Sequence, residues 1–273
     1  MTIFCWRQSG ILGFIARSLF LLVAVTAVAK AQSNVPQHFL FDGRAVWSSN
    51  FQSKLEQDLT TGSRVSVKFD DDLGITSAWG PQFRAIWKIT PGNRIRFDYR
   101  RLEHSGEKVT EREIQIDETI FPAGSRVGST VGGDELRFSY AYLFAIGGDH
   151  LRMGPLVDAR RVTLDLFASA MRTNPDELLE ASIKTDIWAG TIGAEFDSTL
   201  TEQLNVYGFV NWIGAGALDG TWDVEFGLRY FLTPWLGING GYSYAGTKIV
   251  IKDPEGFLRT QTNNLFFGAT LGF

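Results

Sequence analysis

Asn264-Leu265-Phe266-Phe267-Gly268-Ala269-Thr270-Leu271-Gly272-Phe273 ends the chain, and the reading of this stretch decides the fold. Leu265, Phe267, Ala269, Leu271 and Phe273 are apolar at every second position, and a strand's period of two puts them all on one face. Working back, the same grammar recurs in Leu236 to Tyr244, Trp222 to Leu232, Leu204 to Trp212 and Trp188 to Phe196. It is also present in Leu151 to Ala159, Leu136 to Phe144, Ile95 to Tyr99, Phe83 to Ile89 and Phe39 to Phe51. Across its centre each stretch has one face free of Asp, Glu, Lys and Arg, with Trp, Tyr or Phe near its ends. A soluble sandwich would keep its aromatics mid-core, whereas amphipathic rings at strand ends suit a membrane interface. A charge on a lipid-facing strand position costs about 2–4 kcal/mol at the midplane, which explains the confinement of charge to the other parity.

The amino terminus agrees. Residues 1–31 carry Arg7 and Arg17, an apolar run from Leu19 to Ala29 and Ala29-Lys30-Ala31, the pattern of a cleaved export signal. The run is shorter than the ~20 residues a spanning helix needs. The one cysteine, Cys5, lies inside this segment, so no disulfide or thiol metal site is expected in residues 32–273. Loss of Arg7, Arg17 and Lys30 would take the formal charge from −4 to −7, an acidic balance that argues against nucleic acid as partner.

Four short turns, at Pro91, Gly148, Glu202 and Pro234, join eight strands, and a first and a last strand make ten, with eight or twelve as alternatives. The expectation is an all-β, antiparallel up-and-down transmembrane barrel over 32–273, with short turns in the periplasm and long polar loops outside. Val65 to Asp70 is not expected to cross as well, because the amino terminus would then lie outside; it is expected as an extracellular arm, with a lumen plug as the alternative. Arg101 to Glu135, Thr163 to Asp186 and Lys248 to Thr262 read as outer loops or hairpins, with a hairpin arm at Glu111 to Ile116. Asn174-Pro175-Asp176-Glu177 predicts a helix over 175–182. Pro155 predicts a bulge.

This pattern resembles the small Gram-negative outer-membrane barrels that include the OmpA transmembrane domain and OmpW-like proteins, although ten strands depart from the eight usual there. The closing strand, with Phe267, Leu271 and the terminal Phe273, resembles the assembly signal of such barrels. The resemblance implies outer-membrane lipid and the barrel assembly machinery as partners and assigns no cofactor.

On the inward parity, Arg44, Arg84, Lys88, Arg96, Asp98, Arg100, Arg137, Arg152, Asp158 and Arg160 make the first half mostly basic. Glu195, Asp197, Asp223 and Glu225, with Arg229 among them, make the second half mostly acidic. Opposed charges across a narrow lumen predict either a closing ion-pair network or a narrow polar pore for small solutes. A structural or adhesive surface barrel whose outer loops bind a ligand is the other non-enzymatic reading. A rim lipid hydrolase would need His104, the only histidine near the outer side, and it is expected as an exposed loop residue. Neither metal-ligand spacing nor a phosphate-binding loop is present.

Overall fold

Alternation alone makes a strand amphipathic; a sheet that is apolar outside and charged inside must also close on itself, or its edges stay unpaired in lipid. The computed structural model describes residues 38–58, 64–148, 150–173, 176–213, 220–252 and 255–273. In chain order its strands are β1 (Phe39–Asp58), β2 (Arg64–Lys68), β3 (Ala78–Lys88), β4 (Asn93–Val109), β5 (Ile114–Ile116), β6 (Thr119–Phe121), β7 (Arg126–Tyr142) and β8 (Phe144–Ala145). They continue with β9 (Leu151–Thr173), β10 (Asp176–Thr199), β11 (Leu204–Ile213), β12 (Thr221–Phe231), β13 (Leu236–Lys252) and β14 (Glu255–Gly272). Ten of them, β1, β3, β4, β7 and β9 to β14, form one closed antiparallel barrel. The seam is β1 against β14, where the Phe39 and Phe273 amides each donate to the other's carbonyl at 3.0 and 2.9 Å. The export signal lies outside the described residues.

Both described ends sit with the short turns. Three turns repeat one device: Thr90, Thr201 and Thr233 each accept, through Oγ1, the amide of the residue three on, Asn93, Leu204 and Leu236, at 2.9–3.0 Å. The fourth uses Gly147 and Gly148 at φ +66° and +123°.

Nearest this turn end, outward positions carry the lipid belt. Phe83, Trp87, Phe138, Val157, Trp188, Ile192, Leu228, Leu265 and Phe267 are exposed together in one band around the barrel, the arrangement that lipid favours. Arg161 and Asp186 pair on the outer face where the belt ends.

Beyond the belt the polarity inverts. On β9 the inward residues change from Asp158 and Arg160 to Leu166, Ala168 and Ala170, while Asp165 and Ser169 turn outward. β10 does the same, with Ala181, Ile183 and Ile187 inside and Lys184 and Asp186 outside. The barrel therefore continues past the membrane with a water-soluble protein's patterning.

Several expectations are corrected here. Residues 176–182 are strand, not helix, because β9 and β10 stay paired from Ser198↔Leu151 to Asp176↔Thr173; Asn174 and Pro175 lie outside the described residues. Thr163–Thr173 and Asp176–Asp186 are likewise strand rather than loop, whereas Lys248 to Thr262 is the expected hairpin, β13 pairing with β14 as far as Lys252↔Glu255. The hairpin arm is β5–β6, Ile114 to Phe121. Pro155 causes no register shift. Having no N–H, it instead interrupts the ladder to its neighbour, so that β7 ends at Tyr142 and β8 resumes at Phe144 in the same register. The bulge lies in β1, whose register with β14 shifts between Ser49 and Gln52. Below it Asp42, Arg44 and Ser48 point inward; above it Ser53 and Leu55 do.

Candidate functional site

The lumen is filled in two tiers. In the lower tier, within the membrane, the basic and acidic walls meet. Glu225 of β12 accepts from Arg44 Nη1 at 3.0 Å and from Arg84 through both terminal nitrogens, Nη2 at 2.9 Å. Arg84 also holds Asp98, which pairs with Arg96 at 3.0 Å, and Arg96 reaches Glu195 at 3.0 Å. Toward the turns Arg94 bridges Glu195 and Asp197 at 3.1 and 2.8 Å, and Asp42 accepts from Arg44, Arg229 and Thr270 at 2.8–2.9 Å. Toward the loops Arg137 joins Asp223 to Glu135, Arg100 meets Glu135 at 2.6 Å, and Arg160 lies 3.3 Å from Asp223. Asp158 takes hydrogen bonds from Thr191 and from Asn211 Nδ2, the latter at 2.7 Å.

Aromatic rings fill the space between these pairs. The Phe209 ring lies 4.4 Å from the Arg96 guanidinium, 5.3 Å from that of Arg137 and 5.7 Å from that of Arg84, distances at which a ring face attracts a cation. Tyr207 stands under Arg229 at 4.7 Å and accepts from Arg44 at 3.0 Å. The inward position directly opposite Tyr207 is Gly227, where any side chain would overlap the ring. Leu40, Ile86 and Phe231 form an apolar floor at the turn end. Two voids among these side chains have volumes of about 20 and 10 Å³, room for single waters.

The structure brings the predicted lumen charges together apart from Arg152, which lies at the turn end of β9 opposite Asp197, and Lys88, which faces inward, half-buried, without an ion pair to a described residue. Sequence reasoning did not assign Asp42, Arg94 and Glu135 to the network, although all three share the inward parity. It also missed Tyr207 and Phe209, because an aromatic on the inward face is indistinguishable in sequence from one in a belt.

The upper tier is apolar. β2 pairs with β1 from Lys54↔Lys68 to Asp58↔Arg64 and so forms an arm on the wall, while Val67 of β2 and Phe69, Leu73 and Ile75 of the segment after it turn into the mouth. There they meet Ile114, Ile116 and Phe121 of the β5–β6 hairpin and the inward Leu55, Val127, Val131, Leu166, Ile183, Ile249 and Leu258. Arm and plug are thus one element. Arg112 fastens it through Asp72 at 2.6 Å and the Ser66 carbonyl at 2.7 Å, and Ser129 Oγ donates to the Leu73 carbonyl at 3.1 Å. His104, expected in an exposed loop, is an inward residue of β4 and only 2% exposed. It lies beyond the belt, where burial, with Arg100 nearby, pushes its pKa down to about 4. At the opposite end Phe273 is 63% exposed on the belt face, edge-on to Phe41 at 6.4 Å, in line with Phe267 and Leu271.

No protein-family model matches this chain, and no curated sequence does. The solved structure of the outer membrane protease OmpT from Escherichia coli superposes with a TM-score of 0.60, covering 89% of this chain and 99% of that one at 11% identity. This chain has an outer-membrane β-barrel fold. At 11% identity the likeness extends to the fold and no further. Ail of Yersinia pestis (10% identity, 86% of this chain, 99% of that one, TM-score 0.37) and neisserial surface protein A (15%, 86%, 97%, 0.30) superpose too loosely to add to it. These similarities do not single out the OmpA and OmpW-like group among outer-membrane barrels.

Proposed function

We propose that this protein is a closed outer-membrane barrel that works at the cell surface, presenting its loop end as a rigid platform for a ligand, and does not conduct solutes. Its short turns face the periplasm. The observation that carries the reading is the double closure: the charged lattice fills the membrane-spanning lumen, and an apolar plug fills the mouth above it. Either tier alone would obstruct a solute. A channel needs a continuous wet path whose sites bind weakly enough to release, and voids of 20 and 10 Å³ do not make one.

Phe273, Leu271 and Phe267 belong to the same proposal as the assembly signal. OmpT is a protease, but a fold carries no chemistry by itself. His104, the histidine a rim enzyme would use, is enclosed among plug and wall residues here, so no hydrolytic reading is advanced.

The test is conductance of the purified, folded protein in planar bilayers. The closed reading expects no steady open level, and a stable ohmic channel in most insertions would refute it.

A further inference from the structure

Above the belt, four cations occupy one cross-strand row. β2 pairs with β1 as Lys68↔Lys54, β1 with β14 as Lys54↔Arg259, and β14 with β13 as Arg259↔Lys248. Directly opposite residues share a face, and all four point outward, since their neighbours Val67, Leu55, Leu258 and Ile249 are buried in the plug. Strands lie about 4.8 Å apart, so the row runs roughly 14 Å along the flank.

Like charges placed directly opposite destabilise a sheet unless something neutralises them. Internal neutralisation is partial: Lys68 pairs with Asp71 at 2.9 Å, Lys54 pairs with Glu56, and Lys248 lies 5.2 Å from the Phe257 ring centre. Arg259 is exposed and has no ion pair with a described residue. A concentration of positive charge on a chain of formal charge −4 is the footprint of an external anion.

Position on the strand identifies the anion's source. The row lies on the same outward face as the belt, and on β14 it stands six residues beyond Leu265. The polar Asn263 and Gln261 lie between, and Tyr242 of β13 donates to Asn263 there. A molecule lying along this flank would set apolar chains on the belt and a phosphate-bearing headgroup on the row. We propose that Lys54, Lys68, Lys248 and Arg259 form a docking site for phosphorylated lipid of the loop-side leaflet. The inference depends on the membrane placement of the belt and not on whether the lumen is closed.

The test titrates the full barrel, folded in a non-ionic detergent, with dihexanoylphosphatidic acid by calorimetry, and compares dihexanoylphosphatidylcholine and inorganic tripolyphosphate. The site predicts saturable binding of the phosphatidic acid, weakened at least tenfold in Lys248→Gln/Arg259→Gln. The same binding should persist in Lys184→Gln/Arg126→Gln, which removes cations outside the row. Equal binding by the Lys248/Arg259 variant, verified as folded by its heat-modifiable gel mobility, would overturn the site. Equal binding of the zwitterionic lipid would overturn the recognition of a net anionic headgroup. Tripolyphosphate binding as tightly as the lipid, and lost in the same variant, would overturn the lipid as its ligand.

Discussion

Glu225→Ala tests the lower tier where it is most interdependent. Glu225 is the shared acceptor of Arg44 and Arg84, both buried, and its removal leaves two cations short of a counter-charge in a water-poor lumen. Breaking a buried ion pair from one side typically costs about 3–5 kcal/mol. Here the lower end, about 3 kcal/mol, is expected, because Arg44 keeps Asp42 and the Tyr207 hydroxyl while Arg84 keeps Asp98. The partner experiment is Arg84→Met/Glu225→Leu. In that variant Asp98 still has Arg96 and Arg44 still has Asp42, so every remaining charge in the group is paired. The double variant should therefore regain roughly half of the loss, since replacing both members of a buried pair by apolar groups is often near neutral. Unfolding in urea, followed in detergent micelles by heat-modifiable gel mobility, measures both. A loss below about 1 kcal/mol for Glu225→Ala, or a double variant no more stable than the single, would refute the lattice as an interdependent closure.

Neutralising Arg96 and Arg100 together should leave the barrel non-conducting while the plug is in place, and shortening the 64–76 segment in the same variant should open a cation-preferring path; bilayer recordings distinguish the two. Phe69→Ala deletes a fully buried plug ring and should cost about 3–5 kcal/mol locally, detected as faster tryptic cleavage at Lys68 and Arg112 with barrel mobility unchanged. Deleting Phe273 should reduce outer-membrane levels in cells several-fold while changing the refolded barrel's stability little, since it removes an exposed ring and one end of the seam; normal cellular levels would end its role as an assembly signal. His104 has a folded pKa of about 4 against an ordinary 6.5, so the unfolded chain binds more protons between those values. Its contribution is fully present above pH 6.5 and is lost as pH falls toward 4, and His104→Asn should flatten the stability profile over that window in urea titrations.

Much of the barrel could be read from the chain because lipid enforces the alternation. Leu265, Phe267 and Leu271 tolerate no charge, and the Thr-initiated turns fall where the period breaks. The upper tier was hidden by a phase reversal. On β9 the apolar residues are odd-numbered through Val157 and Ala159 and even-numbered from Leu164, which mimics a loss of periodicity although the strand never stops. The same reversal made β10 look like a helix start, with Asn174-Pro175-Asp176 supplying plausible capping residues to a segment whose conformation is set by its partner strand. Charges were assigned to the lumen by parity alone, so the walls were legible while the partners were not: which arginine meets Glu225 depends on stagger around the barrel. Glu135 and His104 were missed as inward residues because β4 and β7 continue beyond the belt into what read as a loop.

The irregularity between Ser49 and Gln52 makes the first strand one residue longer than its neighbour β14, and that residue works as a frame setting. Below it even-numbered side chains of β1 face the lumen; above it odd-numbered ones do. The extra residue takes up this change of parity. Deleting it would leave Ser48 opposite Asn264 and Ser53 opposite Thr260, both inward, so the alternation would run on unbroken with Leu55 still in the plug and Lys54 still on the flank. The seal over the mouth and the cation row on the flank are therefore buffered together against the loss of one codon in this stretch, because the sheet on either side of the irregularity already agrees on which way each residue faces.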